Sequence, residues 1–129
     1  MTYYLSVKLP VSVEAAEPLV REALAEAGFG VITEIDMAAT FRKKLDVAFK
    51  PYKILGACNP HYAYQAVSQE EHLGALLPCN VYLIDQGEAG TEVGMINPEL
   101  MIGMIGNEKL KDFGTEVKDK LLAALEGLT

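Results

Sequence analysis

Residues 80–96 read NVYLID, QGEAG, TEVGMI: two short apolar segments, Asn80 to Asp85 and Thr91 to Ile96, joined by the turn Gln86 to Gly90. Valine, isoleucine, tyrosine and threonine suit a pleated, half-buried surface, and glycine supplies the backbone freedom a tight turn requires. The stretch therefore predicts a β-hairpin, and strands joined so closely must run antiparallel.

Upstream, Thr2 to Leu9 alternates as a strand and Pro10 closes it. Ser12 is suited to cap a helix to Ala27, with Val13, Ala16, Val20, Ala23, Leu24 and Ala27 on one side. Pro18 leaves two readings: a kinked first turn, or a helix beginning near Glu17. Phe29 to Ile35 is a second strand, and Asp36 caps a short helix, Met37 to Leu45, with Met37, Phe41 and Leu45 four apart. Tyr52 to Ala57 is a buried strand, and Asn59-Pro60 starts a helix reaching about Glu71, with Ala63, Ala66 and Val67 inward and Gly74 as its breaker. Asn97-Pro98 opens an apolar helix to Ile105. Asn107 caps the last helix, striped by Leu110, Phe113, Val117, Leu121 and Leu125. This order predicts one α+β domain over residues 1–129: an antiparallel or mixed sheet with helices packed on one face.

The chain has 129 residues, is half hydrophobic, and carries a net charge of −7. An acidic surface repels phosphates and argues against nucleic acid and anionic membranes. The basic run Arg42-Lys43-Lys44 reads as one solvated helix face. No apolar run approaches the ~18 residues of a membrane span, and no leader is recognisable, so a cytoplasmic location with reduced thiols is expected.

Each of the two cysteines precedes an asparagine: Cys58-Asn59-Pro60 ends one apolar run and Pro78-Cys79-Asn80 opens the next. If their strands are antiparallel neighbours, both thiols fall at one edge of the sheet; a parallel crossover would separate them. A helix of about 12 residues spans ~18 Å, and the return through Gly74 to Pro78 can cover that distance. Three chemistries fit these six residues. The thiols can be buried as small hydrophobes. They can edge a pocket that binds a small molecule or does thiol redox chemistry, Cys58 lying before a helix N-terminus that favours thiolate. Or Cys58, His61 and Cys79 can hold a soft metal, with His72 the one further ligand in sight. Tyr62 and Tyr64 suit a pocket wall, core packing or a dimer surface, and the methionines at 95, 101 and 104 suit the core, a subunit interface or a ligand pocket. No carboxylate is spaced to make either histidine a general base.

The segments Tyr52-Lys53-Ile54-Leu55-Gly56-Ala57-Cys58-Asn59-Pro60 and Leu77-Pro78-Cys79-Asn80-Val81 resemble the family known as domain of unknown function 302. The resemblance extends through Gly28-Phe29-Gly30-Val31, Thr33-Glu34-Ile35-Asp36 and Asn97-Pro98 to the final helix. It implies an α+β fold like that of the TATA-binding-protein group, and a homodimer. It brings no established activity and leaves any cofactor unknown. Together these readings point to a small-molecule-binding or sensing module, with a thiol redox protein, a soft-metal site or a purely structural protein as alternatives.

Overall fold

A computed structural model describes residues 2–129. Five strands form one sheet: β1 (Tyr4–Leu9), β2 (Gly30–Asp36), β3 (Tyr52–Cys58), β4 (Cys79–Asp85) and β5 (Thr91–Ile96). Their spatial order is β1-β5-β4-β3-β2, and every pairing is antiparallel, so the mixed alternative falls away. The hairpin at 80–96 supplies the central pair β4–β5, which places both of its strands away from the edges.

Alternation sorts the strands into two faces. Leu55, Ala57, Val81, Leu83, Val93 and Met95 share one face and are fully or almost fully buried. Two long helices cover that face. In α1 (Val13–Glu26), Val13, Ala16, Val20 and Leu24 point inward, and in α5 (Lys111–Glu126), Val117, Leu121 and Leu125 do. Each buried Val or Leu is worth ~1.5–3 kcal/mol, so this layer carries the fold.

The Ser12 side chain accepts from Ala15 N–H, and α1 runs unbroken through Pro18. The helix does not begin near Glu17, because Val13 and Ala16 are needed in the core. The carbonyl that Pro18 leaves without a partner belongs to exposed Glu14, where water can reach it.

A smaller cluster closes one end of the sheet. Ala66 from α3 (Pro60–Gln69), Met101 and Ile102 from α4 (Pro98–Ile105), Leu73 and Leu110 make it up. Here several expectations need correction. The third helix stops at Gln69, and Glu71–Ala75, Gly74 included, forms a 3-10 turn that carries Leu73 into the cluster. Val67 faces outward, since Ala66 and Tyr62 already supply the inward row of a helix with a narrow contact. Of the readings open for Met104 the core one falls away: it is 67% exposed, because an eight-residue helix offers one face and Met101 with Ile102 fills it. Asn107 caps a 3-10 turn, Glu108–Leu110, that leads directly into α5.

The helix α2 (Met37–Leu45) is capped by Asp36 and has no buried residue. On the sheet face away from α1 and α5, every side chain stays half-buried or exposed; Gly56 and Gly94 alone are buried there. Among the described residues no helix is long and apolar enough to cross a membrane.

Candidate functional site

In the ladder between β3 and β4, Ala57 stands across from Cys79 and Gly56 across from Asn80. Cys58 is one residue further on, so the two Cys-Asn motifs meet at one end of the sheet. Both thiols are free and both line one cavity of about 300 Å³. Asn59 and Pro78 line it too.

Pro60 and Asn80 do not line the cavity. Pro60 is exposed at the first position of α3, where its missing N–H costs nothing. Asn80 is exposed on the open face of the sheet, one residue out of phase with Cys79. The Asn59 amide oxygen accepts from the N–H groups of His61 and Tyr62 at 3.1 and 3.2 Å and so starts the helix. The amide nitrogen of Asn59 lies against Gly28, whose φ of 89° makes the turn into β2; a Cβ there would stand 3.1 Å from it. Asn59 thus packs the start of α3 against the turn after α1.

The rest of the wall is apolar and comes from distant parts of the chain. Phe29 and Ile32 approach from the β2 side, Tyr62 and Ala63 from α3, and Phe113 and Val117 from α5. Tyr62 and Phe113 meet edge to face with centroids 6.1 Å apart. Ile32 is present because the register between β2 and β3 shifts between Val31 and Thr33, leaving it as the extra residue of a bulge, 62% exposed. Sequence reasoning reached Tyr62 but not Ile32, since alternation carries no sign of a bulge. Phe113 and Val117 were visible as a helical stripe, which reads the same for a cavity wall as for a core. Tyr64 turns away from the cavity and is exposed.

The lining is electrically neutral. Burial pushes the Cys79 thiol up to about 11, with the neighbouring Cys58 thiol adding to the shift, and Cys79 is only 5% exposed. Burial and the nearby Glu116 carboxylate also raise the Tyr62 phenol. Cys79 is therefore a thiol at neutral pH, a poor nucleophile and a poor metal ligand as it stands. Among the described residues no three His, Cys, Asp or Glu side chains gather to hold a metal ion. The grouping of Cys58, His61 and Cys79 is thus not formed, because His61 points outward from the first turn of α3.

A five-stranded antiparallel sheet with helices on one face defines an α+β protein. The sequence profile of a family described as Domain of unknown function DUF302 matches residues 5–128, and the chain belongs to that family. The fold is similar to that in a crystal structure of an uncharacterised conserved DUF302 protein from Bacillus stearothermophilus. The two are 24% identical, with a TM-score of 0.92 and complete coverage of both chains. Among curated proteins, none matches.

Proposed function

We propose that this protein binds a small, neutral, largely apolar molecule in the cavity between the β3–β4 end of the sheet, α3 and α5. The lining carries the proposal: twelve residues from five regions of the chain line a half-open cavity of about 300 Å³ and contribute no charged side chain. That is the lower end of the size range for ligand sites, with few polar groups to fix orientation. The half-buried Cys58 thiol and the Asn59 amide are the polar contacts. Surface grooves of about 520 and 560 Å³ elsewhere are larger, but charged residues such as Glu17 and Asp85, or Asp112 and Glu116, line them.

The test is titration of the full chain with neutral aromatic probes such as indole, followed by amide chemical shifts. Perturbation centred on Cys58, Ala63 and Val117, abolished by a cavity-filling Ala63→Phe variant that remains folded, supports the reading. Shifts that ignore Ala63→Phe, or no shifts at millimolar probe, reject it.

The convergence of the two thiols favours a second reading, thiol–disulfide exchange. In it, the Cys58 thiolate attacks an external disulfide and expels one thiolate; deprotonated Cys79 then closes the internal disulfide and expels the other. The raised Cys79 thiol argues against a fast second step. Two free cysteines accord with a reducing, cytoplasmic location. We further propose that the chain, a single domain, works as a homodimer.

A further inference from the structure

We propose that the cavity takes a thiophilic ligand, an organic compound of trivalent arsenic, whose arsenic atom bonds both Cys58 and Cys79 while its organic group lies on the apolar wall. This rests on the cavity reading above and adds the chemical class of the occupant.

Cys58 lies one residue beyond Ala57, the cross-strand partner of Cys79. Strands about 4.8 Å apart, with a rise of about 3.3 Å per residue, put the two Cα atoms about 6 Å from each other. Two cysteines can be linked when their Cα atoms are ~4.4–6.8 Å apart, so one atom can take a bond from each sulfur. Both residues line the same cavity and both thiols are free. Cys79 is 5% exposed and has no hydrogen-bond partner among the described residues. What the pair offers a ligand is sulfur, which selects soft centres over hard ones.

Volume and charge select among the soft centres. A lone ion of about the size of a water molecule, ~30 Å³, would leave most of the cavity empty. The other walls, Phe29, Tyr62, Phe113 and Val117 among them, suit a phenyl or alkyl group. No lining side chain is charged, so an occupant with a net charge would be buried without compensation. Copper(I) between two thiolates is an anion. Arsenic(III) with one organic group and two thiolates is neutral and brings its own apolar body.

Binding needs no oxidant or reductant. Each As–OH bond of the hydrated ligand gives way to an As–S bond, and the thiol proton leaves with the hydroxide as water. Half-buried Cys58 takes the first bond, and the arsenic is then held beside Cys79. Burial keeps Cys79 protonated until that second exchange, which replaces its S–H bond.

Calorimetry and native mass spectrometry of the reduced full chain with phenylarsine oxide test this. One phenylarsenic group should bind per chain, and Cys58→Ser and Cys79→Ser should each weaken binding by about a hundredfold or more, since each leaves a single bond. Circular dichroism checks folding, and Cys58→Ser, at the half-buried position, carries the test if Cys79→Ser unfolds. Ala63→Phe should weaken phenylarsine oxide far more than arsenite, which has no organic group to place. Binding that the serine variants leave unchanged overturns the inference, as does phenylarsine oxide bound equally well by Ala63→Phe. No binding of phenylarsine oxide while indole still binds overturns it and leaves the cavity reading standing. Failure of both probes overturns both.

Discussion

The ring of Tyr82 occupies the space that a side chain on Gly94 would fill. The two are cross-strand partners in the β4–β5 ladder, and the Tyr82 hydroxyl donates to Glu92 Oε2 at 2.7 Å. The missing Cβ of Gly94 lets an aromatic ring lie flat across the sheet.

Gly94→Ala should lift that ring and break the bond to Glu92. Burial and the Glu92 carboxylate now hold the phenol well above its usual range. Ultraviolet titration should show its pKa falling toward 10 in the variant, with about 1 kcal/mol of stability lost. An unchanged titration would mean that the ring has room after all.

Gly56 is constrained from two sides, since a Cβ there would collide with Thr33 Oγ1 and the Pro78 ring. Gly56→Ala should cost ~1–3 kcal/mol, seen as a lower urea midpoint with unchanged slope. Adding Thr33→Ala should recover only part of the loss, because the Pro78 ring remains.

The two thiols should differ in reactivity. Iodoacetamide at about pH 7.5 should modify Cys58 well before Cys79, which should react only on unfolding. The folded-state pKa of Cys79, about 11, lies above its ordinary 9.0. Its contribution is therefore fully present below pH 9 and is lost as pH rises toward 11, by about 2–3 kcal/mol at most. Cys79→Ala should flatten that alkaline decline, measured by urea unfolding across the range.

Lys53 bridges Glu17 at 2.7 Å and Glu34 at 3.0 Å, and Arg21 bonds the same two carboxylates at 2.9 Å each. The hydrogen bond from Lys53 leads in holding the Glu17 carboxyl below its ordinary 4.5. A lowered folded pKa stabilises above pH 4.5, and the benefit disappears as pH falls through the folded value. Lys53→Met should cost about 1 kcal/mol at neutral pH, since the group is partly solvated, and much less in acid. An equal loss at about pH 2.5 would assign the effect to packing.

Much of the local structure was legible. Ser12, Asp36, Asn59 and Asn97 cap the helices they were expected to cap, because capping depends only on bonds within a turn. The strands were legible through alternation in Thr2 to Leu9 and as short apolar runs elsewhere, and their ends moved by at most two residues. Less was legible where the signal was shared. Val67 and Met104 are as apolar as Ala66 and Met101, and only the width of each helix contact decided which turned outward.

The amino-acid order alone determined the five strands, the longer helices, the antiparallel hairpin and the six residues of the two Cys-Asn motifs. Local hydrogen bonds and hydrophobic period act over a few residues, which is why they can be read directly. Tertiary structure decided that Cys58 and Cys79 share a wall while Pro60 and Asn80 do not, and that Ile32 and Phe113 complete it. Those outcomes depend on strand register and on a bulge at Ile32, where one residue changes which face a side chain takes.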